Sequence, residues 1–308
     1  MVIAIIGSGA MGSLFGGRLK SAGNNVTLVD VWEDHIQTIN NNGLIIENPT
    51  KRDVIYISAC LPGDLQKPPD LMIIFTKTIH TESALKDVQS LISDQTTILT
   101  VQNGVGHDRI IARYFDRSKI IHGVTTYPCH ILGPGHVRTE EEGTIKIMTL
   151  DGRHRQMLSD VDRLFNSAGL NCEITPDVTV AIWEKLAFNA ALNGMTTVLR
   201  LPVGEIDRVD DGRDLVKKIV DEAVEVANRM DIAISKSRIL STVSMAFRAH
   251  KDHKPSMLQD VLSKRKTEVD FINGAIVREA KALGFSVPAN ETLYRLIKVL
   301  EATYLKKE

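Results

Sequence analysis

An amine and two amides are spaced at helical intervals in the second half of the chain. Lys185, Asn189 and Asn193 follow an i, i+4, i+8 pattern, which places all three on one face of a helix. The neighbouring positions are apolar, and buried polar groups without partners are costly. A bound molecule with a carbonyl and hydroxyls would satisfy them, and Lys185, its pKa lowered by partial burial, could protonate an oxygen that receives a hydride. A solvated amphipathic face explains the same spacing.

A second polar segment follows further along the chain. Ser256 and Gln259 form a capping-box pattern that predicts a helix start. The same N-terminus, with a hydroxyl added, is also suited to a carboxylate. Glu268 could pair with Lys185 or accept a hydroxyl from a bound molecule. It could equally be one more surface acid, like the charged stretch before it.

A glycine-rich turn stands at the start of the chain. The sequence Gly-Ser-Gly-Ala-Met-Gly follows an apolar run, Val2–Ile6, and opens a helical pattern. In such a fingerprint Gly7 permits a tight turn, Gly9 lets the backbone approach a pyrophosphate, and Gly12 allows close helix packing. The turn therefore predicts a dinucleotide site formed by Gly7, Ser8, Gly9, Ala10, Met11 and Gly12. A turn that only packs the sheet is the alternative.

An acid ends the second apolar run. Asp30 lies about 20 residues past the glycines, where a carboxylate can accept both hydroxyls of an adenine ribose and repel a 2′-phosphate. This spacing predicts NAD(H) rather than NADP(H). The bland alternative is that Asp30 caps the helix that begins near Trp32.

Two further loops follow strand-like runs. Lys77 comes after Leu71–Phe75, and Asn103 comes after Ile98–Val101. Ligands of open α/β sheets bind beyond the carboxyl ends of strands, so both residues are placed for a cofactor or a substrate. Asn103-Gly104 is also an ordinary turn signal.

The order of apolar runs predicts two domains in an α/β protein. Runs without polar alternation, separated by helical segments at Ala10–Ala22 and Ile79–Ile92, indicate a Rossmann-type, doubly wound parallel sheet over residues 1–175. Residues 119–148 predict an antiparallel extension of that sheet, with strands at His122–Thr126, His136–Arg138 and Thr144–Met148. Residues 176–308 read as an all-helical substrate or dimerisation domain.

Composition narrows the function classes. The 308 residues carry a formal charge of −1 with no long single-sign run, which argues against a nucleic-acid or acidic-membrane partner. Cys60, Cys129 and Cys172 form no pair pattern and suggest a reduced, cytoplasmic protein. The histidines show no ligand spacing, so no metal site is expected, and no apolar run is long enough to span a membrane.

Over its whole length the chain resembles the ketopantoate reductases (2-dehydropantoate 2-reductases). The shared motifs are the glycine turn, the Lys77 loop, Gln-Asn-Gly at 102–104, Trp-x-Lys-Leu-x-x-Asn-x-x-x-Asn at 183–193, Ser-Met-Leu-Gln-Asp at 256–260 and Thr-Glu-Val-Asp-Phe-Ile-Asn-Gly at 267–274. The resemblance implies reduction of a 2-keto acid by a nicotinamide cofactor in an enzyme that is commonly dimeric. The implied roles are general acid for Lys185, hydroxyl binding and fixing of Lys185 for Glu268, substrate binding for Asn189, Asn193 and Ser256, cofactor contact for Lys77, and a bridge between cofactor and substrate for Asn103.

Two departures from the family pattern bear on the substrate and the cofactor. Many members carry an arginine for the NADPH 2′-phosphate at the end of the second strand, where this chain has Val29-Asp30-Val31-Trp32, and Val203-Gly204 stands where some carry a further asparagine before the glycine. Members with an acid after the second strand resemble NAD-dependent D-2-hydroxyacid dehydrogenases that act on other bulky 2-keto acids, which is the main alternative. A nicotinamide-sensing regulator without turnover is a third hypothesis, but such a protein has no use for Lys185 and Glu268 together.

Overall fold

The computed structural model describes residues 1–140 and 142–305. The chain divides into two compact units, residues 1–102 with 107–178, and residues 103–106 with 179–308. The first contains the sheets and the second is helical, and the change of unit near residue 178 lies close to the predicted boundary at 175. The sequence does not predict that residues 103–106 belong to the helical unit.

The first unit alternates strands with helices. Its strands are β1 (Val2–Ile6), β2 (Asn25–Val29), β3 (Leu44–Glu47), β4 (Arg52–Ile55), β5 (Ser58–Cys60), β6 (Leu71–Ile74), β7 (Thr97–Thr100), β8 (Ile120–Thr125), β9 (His130–Gly133), β10 (His136–Arg138), β11 (Ile145–Thr149) and β12 (Cys172–Ile174). Its α-helices are α1 (Ala10–Ser21), α2 (Glu33–Asn42), α3 (Thr81–Asp87), α4 (His107–Ile111) and α5 (Gln156–Ser167).

The main sheet has the order β12-β11-β8-β7-β6-β1-β2-β5. The central pairs β2–β1, β1–β6, β6–β7 and β7–β8 are parallel. Because β1, β6 and β7 are buried along nearly their whole length, they show no polar alternation in the sequence. The α/β class and the doubly wound sheet are thus confirmed, and the carboxyl ends of β1, β2, β6 and β7 share one edge.

The antiparallel extension is confirmed only in part. β11 pairs antiparallel with β8 in the main sheet. His136–Arg138, by contrast, lies in a second sheet with the order β4-β3-β10-β9. β10 pairs there with β3, a strand far away in sequence, so the local pattern of residues 119–148 could not reveal it.

The predicted helix at Ile79–Ile92 is wrong as a continuous element. The segment forms a 3-10 turn at Thr78–His80, the short helix α3, and a second 3-10 turn at Gln89–Leu91. Its apolar spacing buries Leu85 and Val88 without requiring one regular helix.

The second unit contains α6 (Val178–Leu199), α7 (Val203–Asp207), α8 (Asp210–Arg229), α9 (Lys236–Ala249), α10 (Ser256–Leu262), α11 (Asn273–Ala282) and α12 (Pro288–Tyr304). Its core runs along α6 and α8 and includes Trp183, Leu186, Ile219 and Ile276. A 3-10 turn at Val269–Phe271 separates α10 from α11.

An aromatic cluster beneath the glycine turn provides a test of the first unit. Phe15 on α1 is fully buried, and its ring centroid lies 4.7 Å from that of Phe75 and 5.8 Å from that of Phe165. We expect Phe15→Ala to lower the free energy of unfolding by about 3–5 kcal/mol, because it removes these contacts and leaves a cavity. Tyr56→Ala, at a position 76% exposed, is the matched control in denaturant unfolding. Equal midpoints for the two variants would contradict the packing.

Candidate active site

The glycine turn leaves room where a dinucleotide pyrophosphate needs it. Gly7 has φ +93°, and a Cβ atom there would lie 2.5 Å from the backbone nitrogen of Thr76. A Cβ atom on Gly12 would lie 2.0 Å from the Gly7 carbonyl oxygen, whereas one on Gly9 would meet nothing closer than 4.0 Å. Gly9 precedes α1 and has no side chain to cap it, so the N–H groups of the first turn can receive an anion. The glycine turn and the first turn of α1 therefore fit the pyrophosphate of a dinucleotide.

Asp30 ties the second strand to this turn. Its Oδ2 accepts hydrogen bonds from the backbone N–H of Ser8 at 2.6 Å and from the Ser8 hydroxyl at 3.1 Å. Its Oδ1 accepts from the N–H groups of Val31 and Trp32. The helix-cap interpretation is wrong, because α2 begins at Glu33 and its capping position is Trp32.

A buried histidine supports the same turn from behind. The Gly135 N–H donates to Nδ1 of His35 at 2.9 Å, so Nδ1 is unprotonated and the ring proton sits on Nε2, which faces the Ser13 hydroxyl at 3.3 Å. That hydroxyl donates to the Ser8 carbonyl at 2.6 Å. Burial lowers the pKa of His35, although the nearby Asp30 opposes the change. A neutral imidazole thus links the β9–β10 turn to the glycine turn.

An amide joins the loops that follow β6 and β7. Nε2 of Gln102 donates to the Thr76 carbonyl at 2.6 Å and to the Thr81 hydroxyl at 2.9 Å, while its Oε1 accepts from the Thr100 hydroxyl at 3.0 Å. Lys77, half-buried, comes directly after the residue that Gln102 holds. The sequence shows Gln102 only as part of Gln-Asn-Gly, and His35 gives no local signal because its partner is 100 residues away.

Asn103 lies in the helical unit rather than with the sheet. The turn it opens is fixed by the Val105 N–H, which donates to the Phe271 carbonyl at 2.9 Å. Gly104 has φ +88°, and a Cβ atom there would lie 2.4 Å from that same carbonyl oxygen. The close backbone approach explains why glycine follows Asn103.

The predicted polar face of α6 is inside the helical unit. Asn189 and Asn193 are buried, 8% and 5% exposed, and Lys185 is half-buried. A solvated amphipathic face is therefore wrong for these residues. Since burying an amine and two amides is costly without partners, the face needs polar groups opposite it.

Glu268 provides one of those groups for Lys185. Desolvation lowers the pKa of Lys185 to about 8, and the negative charge of Glu268 opposes the decrease. Glu268 is half-buried, directly before the 3-10 turn that leads to α11. A lysine with this pKa exists in both protonation states near neutral pH, as a general acid requires.

The capping box at Ser256 is wrong. The residue that caps α10 is Pro255, and no side chain makes a capping hydrogen bond there. Gln259 instead donates through Nε2 to the Lys254 carbonyl at 2.7 Å. Ser256 is the first residue of α10 and is exposed, so its hydroxyl is accessible. The fixed φ of Pro255 starts the helix in place of the serine.

Comparisons with known proteins cover nearly the whole chain. The family model described as ketopantoate reductase PanE/ApbA matches residues 3–152, and that described as its C terminal matches residues 177–301. The 2-dehydropantoate 2-reductase of Streptococcus pyogenes serotype M3 is 32% identical over 303 residues, 98% of each chain. That of Pyrococcus abyssi is 32% identical over 308 residues, all of both chains.

A solved structure matches equally well. D-mandelate dehydrogenase with NADH and anilino(oxo)acetate superposes with a TM-score of 0.94 at 32% identity over 99% of each chain. The nucleotide-binding sheet and these relatives define an NAD(P)-dependent oxidoreductase. The chain belongs to the ketopantoate reductase PanE/ApbA family. Among the residues that the structure describes, no helix has the length and apolar character to cross a membrane.

The geometry of the glycine turn can be tested by one added methyl group. We expect Gly12→Ala to weaken binding of the reduced nicotinamide dinucleotide by roughly tenfold or more, because its Cβ atom would press on the Gly7 carbonyl and displace the turn. Titration of NADH fluorescence measures the affinity, and a thermal melt records any loss of stability. Gly63→Ala, at a position with open space around it, is the control. Unchanged affinity in Gly12→Ala would refute the close packing.

Proposed function

We propose that the chain transfers hydride from NADH to C2 of a branched 2-keto acid, with ketopantoate as the first substrate to test. The observation that carries this proposal is the polar face of α6, where the half-buried Lys185 lies on the same side as the buried Asn189 and Asn193. Burial lowers the pKa of Lys185 to about 8, and the charge of Glu268 opposes the decrease. In its protonated form, the Lys185 side chain can give a proton to the keto oxygen when hydride reaches the carbon. The nicotinamide supplies the hydride, and the residues of this chain orient the substrate and move the proton.

The remaining residues divide into substrate and cofactor contacts, as the family resemblance implies. Asn189 and Asn193 bind the substrate from the same helix face as Lys185, and the exposed Ser256 hydroxyl binds its carboxylate. Glu268 accepts a substrate hydroxyl and fixes Lys185. Asn103 bridges cofactor and substrate. The burial of Asn189 and Asn193 supports substrate binding by these two residues, since buried amides in an apolar core need polar partners.

The cofactor contacts lie on the first unit. Gly7, Ser8, Gly9, Ala10, Met11 and Gly12 receive the pyrophosphate, and Lys77 contacts the cofactor. Asp30 already accepts four hydrogen bonds, two on each carboxylate oxygen, so ribose hydroxyls would replace weaker ones among them, such as the bond of 3.1 Å from the Ser8 hydroxyl. Its negative charge disfavours a 2′-phosphate, which supports NAD(H). NADP(H) is the alternative that the family offers.

A second candidate changes the substrate and keeps the chemistry. Val203-Gly204 removes an asparagine that some family members carry, and the chain is as similar to D-mandelate dehydrogenase as to the 2-dehydropantoate 2-reductases above. Both points support an NAD-dependent D-2-hydroxyacid dehydrogenase for other bulky 2-keto acids. The values of kcat/KM for ketopantoate, 2-ketoisocaproate and phenylglyoxylate, each with NADH and NADPH, distinguish the two candidates.

The assembly implied by the resemblance is a homodimer, and the location suggested by the cysteine pattern is the cytoplasm. Light scattering on the purified chain measures the first, and fractionation of the source cells measures the second. A monomer with full activity would show that the reaction does not require the dimer.

Lys185 is tested by removing the amine. We expect Lys185→Met to lower kcat by roughly 10²–10⁴-fold, because a positioned general acid contributes about that much. Lys217→Met, an exposed lysine on α8, is the matched control and should keep the wild-type rate. A Lys185→Met enzyme with near-normal kcat would remove this residue from the role.

The pH profile tests the protonation state directly. With the acid protonated below its pKa, kcat/KM for reduction should be level at neutral pH and fall about tenfold per unit above pH about 8. Steady-state rates from pH 6 to 10 at saturating NADH give the profile. A profile that is flat through pH 9.5 would contradict the assignment.

Asp30 is tested through cofactor selectivity. We expect Asp30→Asn to lower kcat/KM for NADH by roughly 10–100-fold relative to NADPH, because hydrogen bonds to a charged group are worth about 1.5–3 kcal/mol. Asp34→Asn, an exposed acid in the first turn of α2, is the control for general loss of charge. A wild-type preference for NADPH would overturn the inference from Asp30.

A further inference from the structure

The C-terminal helix holds the chain on both sides of Glu268. On one side, Thr267 donates two hydrogen bonds to Oε1 of Glu301, from its N–H and from its hydroxyl, each at 2.7 Å. Both residues are almost completely buried, with exposures of 0% and 3%. Glu301 lies in the last turn of α12, so this carboxylate reaches out of the helix to bind the backbone directly before Glu268.

On the other side, Asp270 is held by the same helix. The Tyr294 hydroxyl donates to its Oδ1 at 2.9 Å, and Nζ of Lys298 donates to its Oδ2 at 3.0 Å. Lys298 also pairs with Oε2 of Glu301 at 3.1 Å. The turn from Thr267 to Asp270 is thus attached to α12 by three side chains one helical turn apart.

These contacts leave the Glu268 backbone little freedom. The Glu268 carbonyl accepts from the N–H groups of Phe271 and Ile272, which fixes the following 3-10 turn. The Thr267 hydroxyl, besides donating to Glu301, accepts from the Val269 N–H at 3.2 Å. Breaking the two hydrogen bonds between Thr267 and Glu301 would leave buried polar groups without partners. Each such group costs desolvation free energy, so the contact is costly to break.

We propose that Glu301 is a positioning residue for the reaction: it holds Thr267, and through Thr267 it keeps the Glu268 carboxylate facing the Lys185 amine. Glu301 touches neither substrate nor cofactor in this role. The assignment rests on the function proposed above for Lys185, and it extends the site to a helix that the motifs do not include.

The charged groups around this contact allow position to be separated from charge. Two ionisable groups near Glu301 lie on its own helix: Lys298, and Tyr304, whose pKa the Glu301 charge helps to raise. Asp260 and Asp270 lie on the facing segments. Removing the Glu301 charge could therefore change the pKa of Lys185 electrostatically, without any movement of Glu268. Glu301→Gln removes the charge but retains an oxygen that accepts from Thr267, whereas Glu301→Leu removes both.

The experiment measures the titration of Lys185 independently of turnover. The rate of acetylation of Lys185 by acetic anhydride is followed by mass spectrometry from pH 6 to 10, in parallel with the pH profile of kcat/KM. Glu268→Gln sets the scale, since loss of a nearby opposite charge lowers a lysine midpoint by roughly 1–3 units. We expect Glu301→Leu to lower the midpoint by about half a unit or more, and Glu301→Gln to restore most of that shift.

Two conservative substitutions of Thr267 test the other end of its contact with Glu301. Thr267→Val removes the hydroxyl that donates to Glu301, and Thr267→Ser keeps it, so the midpoint should fall in the first variant and not in the second. Glu291→Ala, whose partner Arg295 lies on the outer surface of the same helix, is the control for loss of an acid from α12. Thermal melts of every variant show whether the fold is retained.

Each outcome decides a different point. Equal shifts in Glu301→Gln and Glu301→Leu would mean that charge acts directly and would overturn the positioning role, as would no shift in folded Glu301→Leu and Thr267→Val. If the labelling midpoint moves as expected while kcat/KM shows no matching change with pH, the positioning stands and Lys185 is not the acid. Failure of the proposed function is thus distinguishable from failure of this inference.

Discussion

The proposed site depends on one half-buried amine, that of Lys185, whose pKa of about 8 lies close to neutral pH. Burial alone favours the neutral form of Lys185, and the carboxylate of Glu268 offsets part of that cost. The balance requires a fixed separation between the two groups, because a charge interaction in a poorly solvated site changes steeply with distance. The hydrogen bonds from α12 to Thr267 and Asp270 hold the chain on both sides of Glu268, and in the positioning role proposed for Glu301 they fix that separation.

The same principle operates in the first unit with different chemistry. There the position of a backbone turn matters, and it is set by Asp30 in front and by the His35–Ser13 chain behind, both of which end on Ser8. A neutral imidazole suits this place because it accepts from one backbone N–H and donates to one hydroxyl. A protonated ring could not accept from Gly135, so the turn is built for the neutral form.

Local patterns in the sequence predicted the parts of the molecule that depend on neighbours along the chain. The glycine turn, the buried parallel strands and the face of α6 follow from spacings of a few residues. The second sheet could not be predicted, because β10 pairs with β3 across roughly 90 residues. The capping box failed at Ser256 because Pro255 starts the helix by itself, and Glu301 gave no signal because its contact with Thr267 joins segments 34 residues apart.

The role proposed for Asp30 links cofactor choice to the structure of the glycine turn. The carboxylate that would bind the ribose hydroxyls also receives the Ser8 N–H and hydroxyl, so it organises the pyrophosphate turn before any cofactor arrives. An arginine in place of Asp30 could not accept those bonds, since a guanidinium is a donor only. The Ser8 groups would then need another acceptor. On the role proposed for Asp30, selectivity for the adenine ribose is a property of the whole turn, and exchanging this one side chain would alter the phosphate site together with the ribose site.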